Sequence, residues 1–345
     1  MAPRTLGPRA LNRAVLARQG LLRRLPGPLP RAAARVGGIQ AQYAPSIYVG
    51  LWSRVEGVER EAVTRALERR SLVQATLLRG TIHVVAAADL WPFALAGGER
   101  MRGLWLRTRR GVDDAAMREA AALLAARLAE GPVARREAED LLGRDRAAGV
   151  GFWLPLVRVP PSGTWERRRA DLWGDAVSWA GPPPEGLTRA AAIAEVARRR
   201  LAAFGPATPA EVADWAGVTI GEAAAALDAM DLRHLRDESG RDLLDLPRAP
   251  LPDPDTPAPP RFLPTWDAAL LVHCRHAGIL REEDRPRIFS TRMPQSLPVF
   301  LVDGTAAGTW RHEDGRITLD PWRRLPRADR LAVEDEAARL AAFHA

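Results

Sequence analysis

The 345-residue sequence predicts an α+β fold, mainly helical, made of tandem winged-helix units with a small β-rich domain at its C-terminal end. Three observations predict it. Helical patterns over the first 70 residues give way to two short strands at 72–78 and 81–85, and helices followed by a two-stranded ribbon is a winged-helix order. A helix-turn-helix with a candidate wing occupies 188–246. Short apolar strands joined by Asp303-Gly304, a hairpin signal, come late in the chain. The expected boundaries are 1–108 for the first winged-helix unit, 109–184 for the second, 185–250 for the third and 251–345 for the C-terminal domain.

The elements follow in order. Leu11, Val15 and Leu22 share a helical face with Ala14 beside them, although Arg18 interrupts the stripe and Gly20 weakens it. Pro26, Gly27 and Pro28 stop this helix, and a short one is expected over 31–36. An extended or loop segment around Gln40 precedes helices at 45–55, where Pro45 suits the first turn, and at 60–69. The strands at 72–78 and 81–85 are joined around Arg79-Gly80, with Thr81 and His83 on one face. A strand histidine is ordinarily a packing residue.

Met117, Leu123, Leu124 and Leu128 mark a long helix from near Asp113, ended by Gly131-Pro132. A short helix is expected at 135–142, and the apolar stretch 152–159 fits either a helix or a strand. Arg167-Arg168-Arg169 lies near a possible hairpin. Arg107, Arg109 and Arg110 form a basic cluster that reads either as a solvated face or as a phosphate contact. Pro182-Pro183-Pro184 is a linker.

Thr188 can cap a helix running to Phe204. Thr208-Pro209 opens a second helix, Gly217-Val218-Thr219 makes the turn, and 220–230 is the second helix of the helix-turn-helix. A wing is expected over 233–246, with Gly240 at its tip. The second helix ordinarily enters the major groove, yet Gly221-Glu222-Ala223-Ala224-Ala225-Ala226 offers no arginine, glutamine or asparagine to read base edges. A scaffold role for this unit is expected instead. A proline- and aspartate-rich linker, 247–260, leads to an apolar segment at 268–272, strands at 299–302, 306–311 and 317–319, and a closing helix at 330–343. His273-Cys274-Arg275-His276 offers three ligand types in four residues with no second cluster, so no metal is expected.

The net charge of +8 and a pI near 11.0 point to an anionic partner. No lysine occurs, so all 50 basic residues are arginine, which stays charged, forks onto phosphate oxygens and stacks on bases. The single cysteine, Cys274, excludes an intramolecular disulfide and fits a reducing cytoplasm. The first 30 residues hold no apolar core long enough for a signal peptide, and no run approaches the ~18 apolar residues of a membrane span. A cytoplasmic, nucleoid-associated monomer without membrane contact or cofactor is expected.

Gly38-Ile39-Gln40-Ala41-Gln42-Tyr43-Ala44-Pro45 organises the rest. In an extended chain Gln40 and Gln42 project to the same side. Two converging amides, each with a donor and an acceptor, can hold a water beside a sugar or base edge. The bland alternative is a surface loop ahead of a helix. This stretch resembles the catalytic region of the winged-helix DNA glycosylases of bacteria, which unhook interstrand crosslinks and remove alkylated bases. Three more motifs follow in the family's order: Leu78-Arg79-Gly80-Thr81-Ile82-His83-Val84; Leu263-Pro264-Thr265-Trp266-Asp267 with Leu270-Leu271-Val272-His273; and Val302-Asp303-Gly304 with Gly308-Thr309-Trp310. The third departs from the pattern at Trp266, where phenylalanine is usual, and at Val272, where glycine is usual.

The resemblance implies a DNA glycosylase acting on double-stranded DNA, damaged or crosslinked, with Gln40 and Gln42 as catalytic residues. Tyr43, Arg79, Thr81, His83, Arg107 and Arg109 are the expected DNA-binding or supporting residues. A ring-alkylated purine is already cationic and departs without protonation, so a placed water and electrostatic fit suffice. An amide is no general base, and this chain carries Gln42 where some relatives carry Asp. N-alkylated purines and their crosslinks are therefore the expected substrates. Without lysine, only the α-amino group could form a Schiff base, so simple hydrolysis is expected. A non-catalytic winged-helix DNA-binding protein is the alternative, and a protein-interaction scaffold the third reading.

Overall fold

The computed structural model describes residues 3–109, 111–290 and 296–345, so Arg110 of the predicted basic cluster lies outside the described residues. Strand β1 (Arg4–Leu6) and helix α1 (Pro8–Arg18) come first. Then α2 (Leu29–Arg35), β2 (Ile39–Gln40), α3 (Ala44–Arg54), α4 (Arg60–Glu68), β3 (Leu72–Thr76) and β4 (Ile82–Ala86) run helix, strand, two helices, two strands. Proline at the first turn of α1 and α3 is pre-set for helix entry and forfeits no hydrogen bond there.

The long helix α5 (Leu90–Thr108) carries the chain to α6 (Asp114–Leu128), β5 (Val133–Ala134), α7 (Arg135–Leu142), α8 (Arg144–Gly149), β6 (Leu156–Arg158) and β7 (Leu172–Asp175). The order of the first unit recurs. The ambiguous stretch near 152–159 divides into a 3-10 turn, Val150–Phe152, and strand β6. The Arg167–169 run lies in the loop of the β6–β7 hairpin.

After α9 (Ala176–Ala180) come α10 (Arg189–Phe204), α11 (Pro209–Ala216), α12 (Ile220–Asp228), β8 (Arg233–Asp237) and β9 (Asp242–Asp245). A single bridge, Ala207 to Leu244, stands where the other units have their first strand. Thr208 with Glu211, and Thr219 with Glu222, form reciprocal capping boxes that set the two helix starts. The last part comprises β10 (Arg261–Leu263), α13 (Arg285–Ile288), β11 (Val299–Val302), β12 (Thr305–Glu313), β13 (Arg316–Pro321) and α14 (Arg327–His344). The apolar stretch at 268–272 forms 3-10 turns, Ala268–Leu270 and the start of Val272–Ala277.

Three sheets tie these pieces together. The antiparallel order β2-β4-β3-β6-β7-β5 is one sheet, closed between units at Ala75 and Val157. The strand β1 pairs in parallel with β8, which pairs with β9. A meander, β10 to β13, forms the third sheet. Arg18, which breaks the apolar stripe of α1, is buried in a fork onto both oxygens of Asp245 at 2.7 and 2.9 Å. A charge on a buried face is tolerated here because both partners are hydrogen-bonded. Beneath α3, Arg54 donates to Gln19 and to Asp267, joining α1, α3 and the segment after β10. Among the described residues no helix is long and apolar enough to cross a membrane.

Candidate active site

The turn between β3 and β4 is tight because both central residues have positive φ, Arg79 at 56° and Gly80 at 71°. Glycine suits that backbone and arginine does not, so the Arg79 backbone is strained. Arg79 Nη2 donates to Gln40 Oε1 at 3.3 Å, and its Nη1 donates to the carbonyl of Trp215 in α11. The backbone N–H of Ile82 donates to Gln42 Oε1 at 2.7 Å, while Ala41 N–H donates to the Ile82 carbonyl at 2.7 Å. The β2 segment and the β3–β4 turn are thus laced together by both glutamines. Gln40 is buried in β2 opposite His83, and Gln42, beyond the strand end, is exposed. The partners fix the amide orientations: each oxygen faces a protein donor, and among the described residues neither amide nitrogen has a protein acceptor.

His83 is 3% exposed, and its Nδ1 lies 3.0 Å from the Thr81 carbonyl and 3.5 Å from Thr81 Oγ1. Burial, reinforced by the Arg79 charge, pushes the imidazole pKa down to about 3. It is therefore neutral at physiological pH and supplies no acid there. Burial likewise lowers Arg79 to about 10, with Asp214 pulling the other way and Arg200 adding to the fall. Arg79 still carries its charge near neutrality. The turn between α11 and α12 presses on this one: a Cβ on Gly217 would lie 3.2 Å from the Arg79 nitrogen.

Thus Gln40, Gln42, Arg79, Thr81 and His83 gather where β2 meets the β3–β4 ribbon, each in a local hydrogen bond. Tyr43 adjoins it, capping α3, with its hydroxyl accepting from Arg168 Nη1 at 3.0 Å. Arg107 and Arg109 do not join. They are exposed at the far end of α5, where Arg109 faces Asp145 at 4.0 Å. A cleft of about 670 Å³ along α5 contains none of the glutamine group. Within the group Gln42 is exposed, Arg79 and Thr81 are half-buried, and Gln40 and His83 are buried.

Sequence reasoning missed Arg168, the Trp215 carbonyl and the Arg54–Asp267 pair at 2.8 Å. The first was visible only as a charge run, and a backbone carbonyl carries no sequence signal. The paired histidines after β10 both have protein contacts. His273 is buried with its carbonyl accepting from Arg200 at 2.6 Å, and His276 Nδ1 lies 3.1 Å from Glu211. Burial pushes the adjoining Cys274 thiol up to about 12. Among the described residues no group of His, Cys, Asp or Glu is placed to hold a metal.

The family model for AlkZ-like DNA glycosylases matches residues 33–343. No curated protein matches the sequence. Among solved structures, Streptomyces sahachiroi DNA glycosylase AlkZ aligns with a TM-score of 0.80 over 98% of this chain and 97% of that one, at 19% identity. At that identity the likeness is one of fold.

Proposed function

The chain belongs to the AlkZ-like DNA glycosylase family, and we propose that within it this protein is a monofunctional hydrolase that releases N-alkylated purines or unhooks interstrand crosslinks. As a family member it is a DNA glycosylase, and DNA repair is its role. The observation that carries the finer reading is the double clamp on the glutamines. Both amide oxygens are already anchored by Arg79 and by the Ile82 N–H, so the pair is pre-oriented before any substrate arrives.

Each amide oxygen keeps a second lone pair, and each amide nitrogen two N–H groups. Between them one water is held with a lone pair free to meet C1′. The bond from C1′ to the purine nitrogen breaks, and its electrons neutralise the cationic base. The water oxygen then bonds C1′, and the proton passes to solvent. The amides accept no proton, and buried neutral His83 donates none, so the leaving group must already be labile. Neutral lesions lie outside this chemistry.

The substrate is expected to be double-stranded DNA, with the protein working in the cytoplasm as a monomer. The test is a panel of single-lesion duplexes scored for abasic sites with and without alkali. N7-methylguanine and an N7-linked crosslink should be released. Release of uracil at a comparable rate would mean that another residue acts as acid or base, and would overturn the reading.

A further inference from the structure

Beside the glutamine group, a cavity of about 300 Å³ opens between the start of α3, the segment after β10, strand β12 and the end of α14. Its walls include Tyr43, Val49, Pro264, Trp310, His312 and His344. Tyr43 directly follows Gln42 in the chain, so the rim of the cavity is one residue from the proposed water-holding amide. We propose that this cavity receives the extruded N-alkylated purine, stacking the base among the Tyr43, Trp310 and His344 rings while the glutamines address its C1′. The proposal rests on the glycosylase reading and names the base pocket of the same site.

Size, lining and polar placement support this occupant. The volume is at the lower end of small-ligand pockets, suited to one flat heterocycle. Flipped bases are held by stacking between aromatic and apolar side chains and read at their edges. The rings are firmly placed. His312 and His344 stack at 4.2 Å, Trp310 donates to the Leu263 carbonyl at 3.1 Å, and the His344 carbonyl accepts from Arg60 at 3.1 Å.

Among the described residues His344 Nε2 is buried without a hydrogen-bond partner, a costly state that a base edge would relieve. Burial, with the neighbouring His312 and the Arg60 and Arg168 charges, lowers His344 to about 4, so it meets the base as a neutral ring with one donor and one acceptor. Among the described residues no carboxylate lines the cavity. A delocalised purine cation is instead favoured by the aromatic faces, an attraction that weakens once the base leaves neutral. Arg168, exposed at the mouth and tied to the Tyr43 hydroxyl, is placed for a phosphate flanking the extruded nucleotide.

The test uses the full chain bound to duplex carrying a tetrahydrofuran abasic analogue, with free 7-methylguanine as probe and saturation-transfer NMR as readout. Saturable binding is expected, weakened at least tenfold by Tyr43→Ala and by His344→Ala. The two pocket variants lie on different elements, so misfolding of one leaves the other informative. No saturable binding, or binding unchanged in both variants, overturns the pocket. Base release is assayed separately. A protein that binds 7-methylguanine in this way yet frees no base from any lesion duplex defeats the glycosylase reading while the pocket stands.

Discussion

Arg79 reaches Gln40 across the β2–β4 edge at 3.3 Å while its own backbone sits at a φ of 56°, so a strained turn supports a buried amide. Such strain typically costs on the order of 1–3 kcal/mol and persists where the side chain's contacts over-determine it. Replacing Arg79 with Ala should lower the rate of base release at least tenfold with a smaller effect on DNA affinity. Arg79→Lys should restore only part, since an ammonium cannot fork between Gln40 and the Trp215 carbonyl. Single-turnover kinetics alongside binding isotherms separate the two effects; an unchanged single-turnover rate in Arg79→Ala would refute the clamp.

Gln40→Ala and Gln42→Ala should each reduce single-turnover release by roughly 100-fold, because positioning a nucleophile supplies several kcal/mol of the barrier. Affinity for lesion duplex should change far less. Equal activity of the double variant and the wild type would remove both residues from the mechanism.

His83 makes stability pH-dependent in a defined direction. Its folded pKa, about 3, lies below the ordinary 6.5, so the unfolded chain binds the proton first. Its contribution is fully present above about pH 6.5 and is lost as pH falls towards 3, at about 1.4 kcal/mol per unit once the unfolded form is protonated. His273 and His344 are lowered in the same sense and add to the slope. Glu211 and Asp237 are depressed to about 2 and enter only at lower pH. Urea unfolding at pH 5, 6 and 7 should show stability falling with pH, less steeply in His83→Gln. Base release itself should be flat between pH 6.5 and 8 as far as His83 is concerned.

The ion pair of Arg54 and Asp267 is buried on both sides. Removing one partner leaves the other charged and dry, so Asp267→Ala should cost roughly 3–5 kcal/mol. Replacing both residues with apolar ones should cost less than either single change. Chemical denaturation of the singles and the double tests this.

DNA affinity should fall steeply with salt, each neutralised phosphate contributing about −0.9 to the log–log slope. A flat response between low and physiological ionic strength would point to a protein partner instead.

Much of the local structure was legible from sequence for nameable reasons. Thr208-Pro209 and the Gly217-Val218-Thr219 turn announced two helix starts, and both helices form, each with a capping box. The period change near Leu72 and the Asp303-Gly304 turn marked the ribbons that form. Long-range pairing was not legible. Nothing in 152–159 says that Val157 pairs with Ala75, because such a choice depends on how two distant units dock. Arg18 looked like a flaw in a helix stripe, since its partner Asp245 lies 227 residues away. At the site, alternation suggested that Gln40 and Gln42 face one way. Gln40 lies buried in a two-residue strand and Gln42 exposed beyond its end, and what unites them is the segment that binds their oxygens.

The parallel pairing of β1 with β8 has a consequence for how the chain is made. Arg4 lies against Leu235, and the contact cannot form until that distant strand exists. At about 5–20 residues per second, the first strand waits roughly 10–50 s on the ribosome with its edge unpaired. Strand β1 therefore settles only after the residues between it and Leu235 have been made.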